Sequence, residues 1–185
     1  MPAASRLGRQ LEEALSALRA AGVPVALIGG LAMAPYKVVR ATQDIDFLAD
    51  GDHAASIDRA IGALGYECVY RSDDAANFVR GDERIDFIFA RRPNARRLLA
   101  AAEQLTTSLG MVPVVSKEGL IGFKLQGLVN DPRRTQDAED IRALLRANTG
   151  NLNMAEVKDY FRLFERESLL EQWLSEIGEL GDDQH

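Results

Sequence analysis

Asp44 and Asp46, one residue apart, are the side chains whose type and spacing point most directly to chemistry in this 185-residue chain. In a strand, alternate residues share a face, so the two carboxylates point one way and Ile45 and Phe47 the other. Same-face neighbours lie about 7 Å apart. That lets them converge on one divalent cation or straddle two held about 4 Å apart. Upstream, Gly29-Gly30 ends an apolar run and leaves backbone N–H groups open to the close approach of a phosphate. A third acid, Asp86, interrupts the apolar stretch Arg-Ile-Asp-Phe-Ile-Phe, where an unpartnered charge costs several kcal/mol. If its strand lies beside that of Asp44 and Asp46, three carboxylates converge, and a divalent cation relieves their repulsion. Asp44 and Asp46 then hold the metals that bind a triphosphate, and Asp86 the metal that activates an attacking hydroxyl. In the alternative reading, Asp86 points outward from a half-exposed strand.

The elements that must position these residues follow from periodicity. Leu7, Leu11, Ala14, Leu15 and Leu18 recur at helical spacing until Gly22 and Pro24 stop the pattern. Residues 25–28 read as a buried strand, 31–38 as a short helix interrupted near Pro35, and 44–49 as a second strand. A helix is expected over 53–64, closed by Gly65. Strands are expected over 66–70, 77–80 and 84–90, the last two joined across Gly81-Asp82. Residues 94–104 read as helical and 111–115 as a short strand. From Ser116 the texture becomes wholly helical, over 117–129, 134–147, 154–165 and 168–177. Asn153 and Glu156 resemble a capping box for the third of these, and 181–185 read as a frayed tail. The expected fold is α/β, a mixed-sheet core over 1–115 with an all-helical subdomain over 116–185, the two packed as one unit.

Composition narrows the chemistry. Hydrophobic residues make up 46% and charged residues 27%, ordinary for a globular protein and contrary to disorder. No apolar run approaches the ~18 residues a membrane span needs. Arg6, Arg9, Glu12 and Glu13 interrupt the first helix, so a secretory signal is not expected. With Cys68 as the single cysteine, no intrachain disulfide forms, and a reducing cytoplasm is the expected compartment. His53 and His185 are the only histidines, which disfavours a Cys/His zinc site. An oxygen-bound Mg²⁺ or Mn²⁺ is the expected metal. A net charge of −6 disfavours a broad nucleic-acid-coating face. One arginine-dense stretch, Arg80, Arg84, Arg91, Arg92, Arg96 and Arg97, reads either as a patch for an acceptor's phosphates or as a solvated loop and helix start.

Gly29-Gly30, then Arg40-x-Thr42-x-Asp44-x-Asp46, then Asp86 in a strand resembles the polymerase-β-type nucleotidyltransferases, and within them the AbiEii-like toxin group. Two later segments are similar as well. Lys124 sits in Gly-Phe-Lys-Leu-Gln-Gly like that group's helix lysine, and Arg134-x-x-Asp137-x-x-Asp140-Ile141 resembles its Arg-x-x-Asp-x-x-Asp-Ile helix. The resemblance covers residues 25–147 and leaves the first and the last two helices unmatched. It implies transfer of a nucleoside monophosphate from an NTP to a hydroxyl, with pyrophosphate released and two metal ions assisting. Lys124 would neutralise phosphate charge, with Asp137 or Asp140 orienting it or touching the nucleotide. Arg40 would position the Asp44–Asp46 segment or reach the triphosphate beside Thr42.

The resemblance favours RNA as acceptor, particularly a tRNA 3′ end, and predicts an antitoxin partner. Aminoglycoside-like small molecules and protein hydroxyls remain open. Two other classes also stand: an NTP-binding regulatory module that transfers nothing, and an interaction protein whose acids bind no metal. Lys124 has a plainer reading as a solvated helix lysine, and Asp137 and Asp140 as salt-bridge partners of Arg133, Arg134 or Arg142.

Overall fold

Val25–Ile28 (β1) is an apolar tetrapeptide with Ala26, Leu27 and Ile28 buried, and it sits inside a sheet with strands on both sides. The computed structural model of the protein describes residues 5–182. The remaining strands are Asp44–Asp50 (β2), Glu67–Arg71 (β3), Ala75–Arg80 (β4), Glu83–Ala90 (β5), Glu103–Thr107 (β6) and Gly110–Val114 (β7). They form one mixed sheet in the order β3-β4-β5-β2-β1-β7-β6. β2 runs parallel to β5 and antiparallel to β1, while β1 runs parallel to β7.

The alternation in β2 and β5 decides the two faces of the sheet. Ile45, Phe47, Ile85 and Phe87 are buried on one face, where Phe87 stacks on Phe47 at 5.5 Å and meets Phe78 edge-on at 5.6 Å. The other face carries Asp44, Asp46, Arg84 and Asp86. Helices Arg6–Ala20 (α1) and Ala54–Ala63 (α2) pack together, and Pro93–Ala100 (α3) packs on β2 and β5. Charged groups fasten the start of α1 to the β4–β5 hairpin. Arg6 pairs with Asp82 and Glu83, Tyr66 donates to Glu83 at 3.0 Å, and Arg80 reaches Glu13 at 2.9 Å. Arg6 holds the Asp82 carboxyl down at about 2, and burial raises the Tyr66 hydroxyl to about 12.

Residues 94–104 do not form one helix. The helix ends at Ala100, and Glu103–Thr107 turns back as an edge strand against β7. Nothing in α3 is buried, so its apolar residues hold no long helix, and Thr106 and Thr107 favour an extended pairing. The hairpin across Gly81-Asp82 is present, with Arg80 opposite Glu83 and Gly81 at φ +63°. The segment after Gly30 is a 3₁₀ turn, Leu31–Tyr36, containing Pro35. Gly65, at φ +88°, follows α2.

Two compact units divide the chain. The sheet unit comprises 1–35 and 40–116, and the helical unit comprises 36–39 and 117–185. The helical unit contains Lys117–Asn130 (α4), Thr135–Ala147 (α5), Met154–Leu163 (α6) and Glu167–Asp182 (α7). The expected frayed tail lies outside the described residues from 183 onward, and α7 itself continues to Asp182. Within this unit, Asn148 Nδ2 donates to the Tyr36 carbonyl at 3.0 Å, and the Lys117 ammonium lies 5.8 Å from the Tyr36 ring. No helix among the described residues is long and apolar enough to cross a membrane.

The capping box at α6 is only half formed. Asn153 Oδ1 accepts from Glu156 N at 3.3 Å, but the Asn153 N–H goes to the buried Glu118 of α4 at 2.8 Å rather than to Glu156. A tertiary carboxylate thus replaces the local one and ties α6 to α4.

Gly122 of α4 faces the Tyr160 ring of α6, and a Cβ there would come within 2.8 Å of Tyr160 carbons. Gly122→Ala should lower stability by about 1–2 kcal/mol, since overpacking outweighs the gain in helix propensity. Gly62→Ala in α2, where a Cβ meets nothing within 4 Å, should raise stability by about 0.5–1 kcal/mol. Thermal melts of both variants check this opposition of sign.

Candidate active site

The site grows from the polar face of the sheet unit. Parallel pairing sets Asp46 directly opposite Asp86 and Asp44 opposite Arg84. Asp44 is exposed, while Asp46 and Asp86 are half-buried. Behind them, Ile45 and Ile85 are fully buried and fix which way the carboxylates face.

Gly29 stands against this row. Its φ is +70°, and a Cβ built on it would fall 2.2 Å from Asp46 Oδ2. Only glycine serves here, for the backbone conformation and for the approach of the carboxylate. A Cβ on Gly30 would meet the Arg40 guanidinium carbon and Thr42 Cβ, each at 3.1 Å. The structure therefore brings together seven of the expected site residues in the sheet unit: Gly29, Gly30, Arg40, Thr42, Asp44, Asp46 and Asp86.

The carboxylates are not arranged as a metal cluster. Among the described residues, no group of three or more His, Cys, Asp or Glu side chains is placed to hold a metal ion. Asp86 is engaged by its own neighbours instead. Arg84 Nε lies 2.9 Å from both Asp86 oxygens, and Asn77 Nδ2 donates to Asp86 Oδ1 at 2.6 Å. The hydrogen bond that Arg84 donates to Asp86 raises the guanidinium pKa above its ordinary value, and the charges of Asp44 and Asp46 add to this. As a donor set, three carboxylates on one face of neighbouring strands suit a hard divalent cation.

Sequence reasoning did not place Arg84 and Asn77 here, although both left signals. Arg84 and Asp86 are two apart in a strand and so share a face. Counting back from the two-residue turn sets Asn77 opposite Asp86, as observed. The rest of the arginine-dense stretch is largely engaged internally. Arg80 pairs with Glu83 and Glu13, Arg96 with Asp52, and Arg91 donates to the Asp73 carbonyl. That is the solvated, self-paired reading of the stretch.

Lys124, Asp137 and Asp140 come together in the helical unit. Lys124 is 7% exposed, so it is not a solvated lysine. Its Nζ donates to Asp140 Oδ2 at 2.6 Å and to Asp137 Oδ1 at 3.4 Å. Gln136 Nε2 donates to Asp140 Oδ1 at 2.9 Å, and Arg134 Nε lies 2.6 Å from Asp137 Oδ2. That last contact is an ion pair without hydrogen-bond geometry, because Asp137 Oδ2 has no hydrogen-bond partner. A Cβ on Gly127 would lie 2.9 Å from the same oxygen, so this glycine admits Asp137 against α4. The spacing of Lys124 between Gly122 and Gly127 thus has a packing explanation at both glycines.

No protein-family model matches the sequence, and no curated protein does. Solved structures match its fold. The solution structure of antibiotic-resistance factor ANT(2'')-Ia aligns with a TM-score of 0.67 at 17% identity, over 96% of this chain and 97% of that one. The crystal structure of ANT(2'')-Ia in complex with adenylyl-2''-tobramycin gives 0.68 at 20% identity, over 87% and 98%. The lincosamide antibiotic adenylyltransferase LnuA, solved with lincomycin bound, gives 0.56 at 15% identity, over 74% and 94%. At such identities the shared property is the fold, the mixed-sheet α/β fold of nucleotidyltransferases.

Proposed function

We propose that the protein transfers a nucleoside monophosphate from an NTP to a hydroxyl group of a small molecule. The observation that carries this reading is the pairing of Asp46 with Asp86 on the polar sheet face, with Gly29 pressed against the Asp46 carboxylate. Asp44, Asp46 and Asp86 would hold Mg²⁺ or Mn²⁺, which supplies charge neutralisation at the triphosphate and activation of the attacking hydroxyl. Gly29 and Gly30 leave room for the phosphates, and Arg40, lying against Gly30, offers them positive charge. The acceptor oxygen bonds to the α-phosphorus as the bond to the bridging oxygen breaks, and pyrophosphate leaves. The acceptor's proton passes to bulk water, and Asp86 would act on the attacking hydroxyl through the metal it holds. Lys124 already has two carboxylate partners, so its first role in this reading is to join α4 to α5. Neutralising the triphosphate would require it to leave them.

A small-molecule acceptor is supported by two things. Structures with TM-scores above 0.5 include one solved with adenylyl-2''-tobramycin and a lincosamide antibiotic adenylyltransferase solved with lincomycin, and three arginines of the stretch that would have met RNA, Arg80, Arg91 and Arg96, are engaged with carboxylates and a carbonyl of the chain itself. The rival acceptor is a tRNA 3′ end, with an antitoxin as partner, and its support is the AbiEii-like pattern of residues. The test uses purified protein, Mg²⁺ and each NTP labelled at the α-phosphate, offered aminoglycosides and lincosamides, total tRNA, or lysate protein. Label entering a small molecule is the expected result. Label entering tRNA or protein keeps the chemistry and replaces the acceptor. Mg-NTP binding without transfer overturns the enzyme in favour of the regulatory module. No binding of Mg-NTP leaves the interaction protein.

A further inference from the structure

We infer that Arg84 is a built-in counter-cation of the three-carboxylate row, which holds Asp86 in the metal-free protein and competes with the divalent ion for it. The inference rests on the reading that Asp44, Asp46 and Asp86 are the metal site. Three observations lead to it. Arg84 sits on the same sheet face as all three acids, opposite Asp44 and two residues before Asp86. Its Nε is equidistant from the two Asp86 oxygens, at 2.9 Å. Asn77 donates to the same carboxylate from the neighbouring strand at 2.6 Å, so Asp86 has two side-chain donors.

The physical need is plain. Three like charges on two adjacent strands repel, and a half-buried carboxylate without a partner is costly. A guanidinium cannot lose its proton at accessible pH, so Arg84 supplies charge whatever the conditions. Its side chain is 47% exposed while that of Asp86 is 20% exposed. The cation therefore has solvent to move into when the carboxylate is taken by another partner, and the acid stays where the strand holds it. Arg84 is thus a positioning residue that sets how readily the site loads.

The test is Mn²⁺ binding without nucleotide, read by electron paramagnetic resonance of the free ion, together with melting curves in chelator and in saturating Mn²⁺. Arg84→Gln should bind Mn²⁺ roughly tenfold tighter than wild type. Its metal-free form should melt lower, and the deficit should close as Mn²⁺ saturates the site. Arg84→Lys, which keeps the charge, should bind as wild type does. If Arg84→Gln binds no tighter while Asp46→Ala abolishes binding, the metal site stands and the counter-cation role falls. If Arg84→Lys tightens binding as much as Arg84→Gln, charge is not the cause and the inference is overturned. If neither wild type nor Arg84→Gln takes up Mn²⁺, the metal reading itself falls and this inference with it.

Discussion

Asp46→Ala should transfer no measurable label from any NTP while melting within about 2 °C of the wild type. The carboxylate lies directly opposite Asp86 and against Gly29, where ion and phosphate would meet. Losing such a ligand forfeits about 4 kcal/mol of transition-state stabilisation, which is roughly 1000-fold in rate. The fold should be indifferent. Asp46 is half-buried on the polar face, and the strand is held by Ile45, Phe47 and Leu48, all fully buried. Removing one of three like charges relieves repulsion rather than creating a cavity. Single-turnover transfer assays paired with circular-dichroism melts check both halves. Normal turnover in Asp46→Ala would sink the assignment of the site.

Lys124→Met should have the opposite signature, a large loss of stability. The change leaves Asp140 and Asp137 buried with their main cation gone, and breaking a buried ion pair from one side costs about 3–5 kcal/mol. For a chain of this size that is a fall of roughly 6–20 °C in melting temperature. Asp137 retains Arg134, so most of the penalty falls on Asp140, which is 2% exposed. The double variant Lys124→Met, Asp140→Leu removes both members of the closer pair and should recover most of the loss, because paired apolar replacements are tolerated where single ones are not. Calorimetry on the three proteins decides the matter. If Lys124→Met melts like wild type yet loses transfer, Lys124 belongs to nucleotide chemistry and its structural role is secondary.

The sheet site and the Lys124 network differ in how much of each is local in sequence. Alternation in 44–50 and 83–90 is local. It follows from the pleat that Asp44 and Asp46 share a face and that Ile45 and Phe47 bury, and the residue types suffice to see it. The Gly81-Asp82 turn is local too, and it fixes the β4–β5 register down to Asn77 opposite Asp86. The strand at 103–107 was hidden because its residues are mostly polar and exposed, so no apolar alternation marks it, and its pairing with β7 only appears once the chain turns back.

Amino-acid order by itself therefore determined the strands that carry the acids, the glycine turn before them, the helical texture after Ser116 and the candidate ligands. Tertiary structure alone decided three things. It paired Asp46 with Asp86 through a parallel contact that α2, β3 and β4 separate in sequence, and no local rule sets such a register. It placed Arg84 on Asp86, so that the expected metal ligand has a cation of its own. It also sealed Lys124 between α4 and α5, where burial replaces a solvated lysine with an ion network. The common reason is that side-chain direction is a property of the local backbone, whereas the partner and the dielectric that give a charge its role are supplied by segments far away in the chain.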